Sequence, residues 1–513
     1  MVPGLLLLCA AGQPAGRSFR LGYVAGLVHY LSSLYWLLFI PFPAGAVVGW
    51  LALSAYLALY SATWVWLCWR WFPAALMPAT RGSESGSVGA QSGPRPQADV
   101  LAARWWQRAI WAILCAALWV VLEIVRGRFL SGFPWNFLGV SQSRVLPLIQ
   151  IASITGVCGV SFLVVWFSVS SALAVLRIGR AAYRWEWLAD LRLALLGLVL
   201  VVTYGINRVL SVQPAGREIT LALVQPSIPQ EVIWNHAQDE ARFNKIMTLS
   251  ELALANKPNV LVWPEASMPG LTEDSFRAVT NLIATRKVWM VFGADDAESN
   301  KLEKYDAFNA AFLFTPEGEL AATYRKQQLV MFGEYVPLAR WLPFVRRLIP
   351  VPEDFVPGHR PVPFEISNPE ARLAVLICFE DVFPHLVRTY VADDPDFLLN
   401  LTNDGWFGES AAQWQQAANA VFRAVENGLP LVRCTNNGLT CWIDARGRMQ
   451  QIFSTPAGNV YGAGFMTVRV PLRGEGRKGE RTFYTRHGDW FGWGCVAVSV
   501  VACGTRLRRK RQS

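Results

Sequence analysis

The sequence predicts a multi-span α-helical membrane domain followed by an α/β domain, and three observations support this. Only 16% of the 513 residues are charged and 53% are hydrophobic, whereas soluble proteins average about 25% charged residues. Residues 21–69 contain no charged side chain. From about 213 to 472 the sequence pattern becomes that of a soluble α/β domain, in which short β-rich runs alternate with helical patterns. The length also exceeds that of one ordinary domain.

The apolar segments predict six membrane spans. A helix needs about 20 residues to cross the roughly 30 Å hydrocarbon core. Segments that meet this length lie at about 21–40, 44–69, 107–125, 157–176, 191–210 and 489–505. Residues 3–12 are apolar but too short to span, and they lack the basic start of a signal peptide. We interpret them as the remnant of a helix and expect the N-terminus to be incomplete.

The formal net charge of +10 belongs to the apolar part of the chain. Residues 1–212 carry 15 Arg, no Lys and 5 acidic residues, which is a net charge of +10. Residues 213–513 are therefore neutral overall. A nucleic-acid-binding protein would instead carry its excess positive charge on a polar face, and that class is excluded. If the six spans alternate, the Arg-rich loops and the RLRRKR tail share one side, with Arg126 and Arg128 as exceptions. The positive-inside rule makes that side cytoplasmic and the large polar segment extracytoplasmic.

These patterns predict three regions. Residues 1–212 form the transmembrane helical domain, in which the Gly-, Ser- and Pro-rich loop 80–98 is a disordered cytoplasmic connector. Residues 213–484 form the α/β domain, and residues 485–513 supply a C-terminal transmembrane helix with a basic tail. Within the α/β domain we predict helices at about 235–256, 272–286 and 411–427. Strands are predicted at 219–224, 260–263, 288–292, 309–314, 373–377, 397–402 and 466–470.

Three chemically reactive side chains stand at the ends of apolar strands: Glu265 in VLVWPEAS, Lys326 in TYRKQQ and Cys378 in LAVLICFED. Strand ends of α/β proteins are where active sites collect. The segment after Cys378 predicts a helix start, which would favour the thiolate. A lone Cys after a strand is more often buried and inert. The Glu and Lys in equivalent settings favour an acyl-transfer site with a base, an oxyanion stabiliser and a nucleophile.

The order Glu, Lys, Cys within WPE, YRK and CFE resembles the nitrilase superfamily. Five further strings extend the resemblance, over almost the whole chain, to the apolipoprotein N-acyltransferase family. They are SGFPWNFLGVSQ (131–142), LVQPSIPQ (223–230), RKQQLVMFGEYVPL (325–338), NDGWFG (403–408) and RCTNNGLT (433–440). The resemblance implies an αββα sandwich for the α/β domain. The chain departs from the family pattern at Met331 (usually Pro), at Phe379 (commonly Tyr) and in AAQWQQ, which lacks the usual His.

The resemblance also implies a bacterial inner-membrane enzyme with a periplasmic catalytic domain. A phospholipid would acylate Cys378 as a thioester, and the α-amine of a diacylated apolipoprotein would then accept the chain. Glu265 would be the base, and Lys326 with a backbone N–H near Phe379 would hold the oxyanion. Glu334 would orient Lys326, and Glu380 would have a supporting role. The alternative for Glu334 is a solvated carboxylate in a loop. The alternative for Glu380 is a carboxylate that stabilises the first turn of a helix.

Four aromatic residues are candidates for substrate contact. Trp234 resembles a substrate-contacting aromatic, with ordinary packing equally plausible, and Trp406 shapes a loop beside the site. Trp341 and Phe344 belong to an apolar, Pro-rich segment that we predict to be a lipid portal at the membrane surface. Packing on the domain core is the alternative for that segment. The five His residues are scattered and none has the spacing of metal ligands, so we expect no metal. We also expect no cofactor and a monomeric protein.

Two other interpretations of the sequence stay open. A membrane-tethered amidase or nitrilase would hydrolyse a small soluble substrate, but the SGFPWNFLGVSQ segment and the number of spans disfavour it. A transporter or receptor with an inert nitrilase-like domain would be expected to lack one triad member, and all three are present.

Overall fold

The computed structural model describes residues 2–76, 103–178, 187–211, 216–233, 235–265, 272–299, 305–337, 354–474 and 480–512. The predicted connector at 80–98 lies outside these ranges. Helices in the described part before the first strand are α1 (Val2–Cys9), α2 (Ala15–Ser33), α3 (Pro43–Leu76), α4 (Trp105–Arg126), α5 (Leu146–Ile149), α6 (Ala152–Thr155), α7 (Val157–Ile178) and α8 (Trp187–Leu210).

Four helices in the described ranges are long and apolar enough to cross a membrane. They cover Pro43–Trp69, Trp105–Arg126, Val157–Ile178 and Trp187–Leu210, which correspond to four of the six predicted spans. The span predicted at 21–40 is wrong in its bounds. Helix α2 ends at Ser33 and a 3₁₀ helix covers Tyr35–Phe39, so the first apolar run is not one continuous α-helix. The apolar part of the last helix runs only from Trp490 to Gly504.

Two six-stranded sheets follow. The first has the order β12-β1-β2-β3-β4-β5 and the second β11-β10-β9-β8-β7-β6. The strands are β1 (Glu218–Gln225), β2 (Val260–Val262), β3 (Trp289–Ser299), β4 (Tyr305–Phe314), β5 (Leu320–Arg325), β6 (Pro363–Ser367), β7 (Glu370–Ile377), β8 (Phe397–Thr402), β9 (Leu431–Thr435), β10 (Cys441–Ile443), β11 (Met449–Ile452) and β12 (Gly464–Pro471). All seven predicted strands are present, whereas β5, β6, β9, β10 and β11 were not predicted.

Helices cover the outer faces of the two sheets. The helices after β1 in the described part are α9 (Gln230–Ile233), α10 (Asp239–Leu254), α11 (Glu273–Arg286), α12 (Pro384–Tyr390), α13 (Ala412–Asn427), α14 (Phe483–His487) and α15 (Trp490–Gln512). Helices α10 and α11 pack on the first sheet, and α12 and α13 pack on the second. The inner faces pack together, since Leu221 and Val262 of the first sheet share one core with Leu399 of the second. This arrangement is a nitrilase-like αββα sandwich, as predicted.

Helix α13 also contacts the membrane helices. The backbone N–H of Val157, the first residue of α7, donates to Glu426 Oε1 at 2.8 Å. Arg423 pairs with Glu426 at 2.8 Å, and both side chains are fully buried. The Arg423 guanidinium also donates to the Val382 carbonyl at 3.1 Å. A carboxylate is favourable at a helix N-terminus, so Glu426 caps a helix of the membrane part from within the sandwich.

Candidate active site

Cys378 directly follows β7 and has a left-handed backbone conformation, with a φ of 52°. Such a conformation costs a residue other than Gly about 1–3 kcal/mol, so surrounding contacts must hold it there. A helix begins in the segment after Cys378, as predicted, but its first turn is 3₁₀ rather than α-helical. Residues Cys378–Val382 form a 3₁₀ helix and α12 begins only at Pro384, because the proline suits the first turn of an α-helix. The thiol therefore does not lie at an α-helix N-terminus.

Lys326 and Glu265 approach each other from two strands of the first sheet. Lys326 follows β5, and its Nζ lies 2.8 Å from Glu334 Oε1 and 3.3 Å from Glu265 Oε1. Glu265 follows β2 and passes close to Gly293 of β3. A Cβ at position 293 would lie 2.9 Å from the Glu265 Cα, so only Gly fits there. The predicted base, the predicted oxyanion stabiliser and the predicted orienting carboxylate thus form one cluster.

Asn309 of β4 joins the two carboxylates. Its Nδ2 donates to Glu265 Oε1 at 2.8 Å and to Glu334 Oε1 at 2.7 Å. Glu334 Oε2 in turn accepts from the Val330 backbone N–H at 2.8 Å. Lys326 is 1% exposed and Glu265 5%, so charge-assisted bonds of this kind compensate the loss of hydration. Sequence reasoning did not identify Asn309, although a polar residue among apolar strand neighbours is a usable signal.

The charges of the cluster set the protonation of its neighbours. Burial alone would lower the pKa of Lys326, but Glu265 and Glu334 outweigh it and raise the pKa above its ordinary value. Loss of hydration raises the pKa of the Cys378 thiol, and Glu265 raises it further, while Lys326 opposes them. At neutral pH the thiol is therefore protonated and the ammonium charged. Such a nucleophile needs a general base.

Glu380 links the nucleophile strand to the Lys326 segment. Its carboxylate accepts hydrogen bonds from the Ile377 N–H at 2.8 Å, the Gln327 N–H at 2.8 Å and the Tyr324 hydroxyl at 2.8 Å. The side chain is fully buried, and burial raises the pKa of Glu380 against the effect of these donors. Glu380 therefore fixes the ends of β7 and β5 relative to each other, and its supporting role in the reaction stays a prediction.

The Phe379 ring points toward the membrane helices. It stacks on Trp135 with ring centroids 5.8 Å apart, and Trp135 packs against Trp36 at 4.9 Å. Both indole N–H groups donate to Gln415 Oε1, at 2.7 Å from Trp135 and 3.1 Å from Trp36. Trp36 also contacts Phe407 at 4.6 Å. An aromatic cluster thus joins the residue after the nucleophile to the 3₁₀ helix that follows α2.

Trp406 is half-buried in the 3₁₀ helix Asp404–Phe407, directly after β8, the strand that neighbours β7. Asp404 in the same turn pairs with Arg433 at 3.3 Å. Trp234, Trp341 and Phe344 lie outside the residues whose side chains the structure describes. The described ranges contain no cluster of three or more His, Cys, Asp or Glu side chains suited to a metal ion.

Two family models match the chain in consecutive regions. Residues 1–170 match the apolipoprotein N-acyltransferase N-terminal domain, and residues 220–457 match the carbon-nitrogen hydrolase family. The apolipoprotein N-acyltransferase of Geobacter metallireducens is 36% identical, covering 99% of this chain and 90% of that protein. The corresponding protein of Vibrio vulnificus is 30% identical, covering 99% and 92%. A solved amidase mutant from Nesterenkonia sp. AN1 is similar at 17% identity and a TM-score of 0.37, covering 54% and 96%.

Proposed function

This chain belongs to the apolipoprotein N-acyltransferase family, and from that premise we propose how its residues carry out the reaction. The chain is an N-acyltransferase of the nitrilase superfamily that acts in lipoprotein maturation, and it has several apolar helices that could span a membrane. The observation that carries the proposed chemistry is the buried Glu265–Lys326–Glu334 cluster, together with the left-handed backbone conformation of Cys378.

In the proposed first step Glu265 removes the proton of Cys378, and the thiolate attacks an ester carbonyl of a phospholipid. The carbonyl electrons move to its oxygen, where the Lys326 ammonium stabilises the developing charge. Collapse of the tetrahedral intermediate breaks the ester C–O bond. Glu265 returns the proton to the leaving oxygen, so a lysophospholipid departs and a thioester remains on Cys378.

In the second step the α-amine of a diacylglyceryl-cysteine N-terminus attacks the thioester. Glu265 accepts a proton from the amine as the C–N bond forms, and the proton passes to the sulfur as the C–S bond breaks. The product amide leaves the Cys378 thiol as it began. Water would divert the thioester to hydrolysis, so the site must exclude it between the two steps.

We further propose a domain layout and an orientation in the membrane. Residues 1–212 and 485–513 form the membrane part, and residues 213–484 form a periplasmic catalytic domain at a bacterial inner membrane. The Arg-rich loops support this orientation.

Labelling of an introduced cysteine tests the orientation. Glu317 is exposed in the turn between β4 and β5, so Glu317→Cys places a thiol on the surface of the α/β domain. A membrane-impermeant thiol reagent should label this variant in cells whose outer membrane alone is permeable. The unsubstituted protein is the control for the nine cysteines of the chain. Labelling only after the inner membrane is broken would contradict the proposed topology.

We propose that Trp341 and Phe344 line the lipid portal and that Trp234 and Trp406 contact substrate. The variant Trp341→Glu with Phe344→Glu should slow acylation by bilayer phospholipid, while a short water-soluble ester should still acylate Cys378. Acylation of this variant by phospholipid at the wild-type rate would reject the portal assignment. The soluble ester serves as the control for an intact catalytic cluster.

Intact mass spectrometry of the detergent-purified protein tests the proposed intermediate. Incubation with phosphatidylethanolamine should add one acyl mass to the wild type, and hydroxylamine at neutral pH should remove it, as expected for a thioester. Cys378→Ala should acquire no acyl mass. Addition of a synthetic diacylated lipopeptide should transfer the chain to the peptide amine. An acyl adduct that persists in Cys378→Ala, or fast turnover of a small amide without acyl transfer, would refute the proposal.

A further inference from the structure

Two buried side-chain amides hold the backbone carbonyl of Cys378. Asn400 Nδ2 of β8 donates to it at 3.2 Å, and Gln416 Nε2 of α13 donates to it at 3.0 Å. These two groups are called the amide pair below. The two donors occupy both lone pairs of one carbonyl oxygen. Asn400 and Gln416 are 0% and 1% exposed, so neither amide exchanges this contact for bulk water.

Asp381 fixes the orientation of both amides. Asn400 Nδ2 also donates to Asp381 Oδ2 at 2.6 Å, and Gln416 Nε2 also donates to Asp381 Oδ1 at 3.1 Å. Each amide nitrogen therefore faces two acceptors, which determines which end of the amide points at Cys378. Arg433, which is fully buried, pairs with the Asp381 carboxylate. Each –NH₂ group uses both of its hydrogens in this arrangement.

Anchoring this carbonyl also determines where the next N–H group points. The Cys378–Phe379 peptide is trans, and a planar trans peptide directs its C=O and N–H in opposite directions. Because the carbonyl points toward the amide pair, the Phe379 N–H must point away from that pair, in the opposite direction within the same peptide plane. An oxyanion donor contributes most when its direction is fixed before the reaction.

We propose that Asn400 and Gln416, with Asp381 behind them, are positioning residues that aim the Phe379 N–H at the oxyanion formed on attack by Cys378. This proposal rests on the proposed function of Cys378 as the nucleophile. The amide pair touches neither substrate nor the reacting atoms. It acts through the peptide that follows the nucleophile, and it also compensates the left-handed conformation of Cys378.

Two reactions of the same thiol separate this role from a general effect on folding or on the thiol. Acylation by phosphatidylethanolamine builds an oxyanion, whereas alkylation by iodoacetamide is a direct displacement that builds none. The variants Asn400→Leu and Gln416→Met each remove one donor from a different element. Each should lower the rate of acyl-enzyme formation by about tenfold or more, while the rate of Cys378 alkylation stays within about twofold. Other thiols are distinguished by peptide mapping.

Two further variants complete the experiment. Asn427 is also on helix α13, but its buried amide donates to the Arg423 carbonyl and not to Cys378. The control variant Asn427→Leu should therefore keep the wild-type rates of both acylation and alkylation. Gln416→His retains one N–H donor and should recover acylation to within about threefold of wild type. Equal losses of acylation and alkylation in the Leu and Met variants would overturn the proposal, as would unchanged acylation. If wild type takes no acyl chain from phospholipid, the proposed function fails, and p-nitrophenyl butyrate then tests the amide pair by itself.

Discussion

Replacing Asn309 by Leu removes the amide that donates hydrogen bonds to both Glu265 and Glu334, and it therefore tests the role of the carboxylate cluster. Their oxygens bind one amide nitrogen at 2.8 and 2.7 Å, which places the two oxygens about 4.6 Å apart for an ordinary donor angle. At an effective dielectric constant of about 20, two unit negative charges at that distance repel by about 3–4 kcal/mol. Lys326 offsets this repulsion, and Asn309 supplies the second donor.

In Asn309→Leu the Glu265 carboxylate loses one charge-assisted hydrogen bond, which is worth about 1.5–3 kcal/mol. If that energy is lost from the transition state for proton removal, acyl-enzyme formation slows by about 10- to 150-fold. The unbridged carboxylates should also lower the free energy of unfolding by about 1–3 kcal/mol. Leu has the same branching as Asn and is not smaller, so cavity formation contributes little.

The assay is single-turnover acylation by phosphatidylethanolamine in detergent, followed by intact mass. Asn256→Leu is the control, because Asn256 donates to Thr467 in an exposed hydrogen bond. Thr467 belongs to β12, at the edge of the sheet opposite β5, so this variant should acylate at the wild-type rate. A rate for Asn309→Leu within about threefold of wild type would refute the idea that the bridging amide supports the base.

Four further outcomes follow from the same cluster. Lys326→Arg should retain less than about a tenth of the acylation rate, a loss above roughly 1.4 kcal/mol. The planar guanidinium of Arg does not replace the compact ammonium of Lys between two carboxylates. A higher rate in the phospholipid assay would argue against a closely positioned ammonium. Cys378→Ser should form no detectable acyl adduct by intact mass, since an alkoxide is far harder to generate than a thiolate. Because the pKa of the Cys378 thiol is raised, its thiolate fraction below that pKa grows about tenfold per pH unit. Iodoacetamide labelling should therefore keep rising through pH 9, and a plateau near pH 7 would contradict the raised pKa. Lys326→Met should slow labelling at any one pH, because the positive charge that lowers the pKa is gone.

The strand ends could be predicted from sequence because hydrophobic runs stop where reactive side chains begin. This pattern identified Glu265, Lys326 and Cys378, and the structure brings the first two within 3.3 Å. The partners that join them were not predicted, because their proximity depends on strand order and register. Asn309 lies 44 residues from Glu265 along the chain and reaches it only through the pairing of β3 with β4.

The local conformation after the nucleophile also escaped prediction. Cys378 has a left-handed φ, a conformation that residues other than Gly rarely adopt. Because the position is not a Gly, the sequence gives no sign of this turn. Asn400 offered a usable signal, since it interrupts the otherwise apolar run FLLNLT, but its role depends on helix α13 packing behind it. Strands β10 and β11 have three and four residues, too few for a pattern to emerge.

The bond between Glu426 and the first N–H of α7 has a consequence for the order of biosynthesis. The two partners are 269 residues apart, and α7 is made first. At about 5–20 residues per second, the helix end exists for on the order of tens of seconds before its capping carboxylate leaves the ribosome. During that interval the Val157 N–H lacks the partner that it has in the folded protein. The membrane segment therefore reaches its final state only after the later half of the polypeptide has folded onto it.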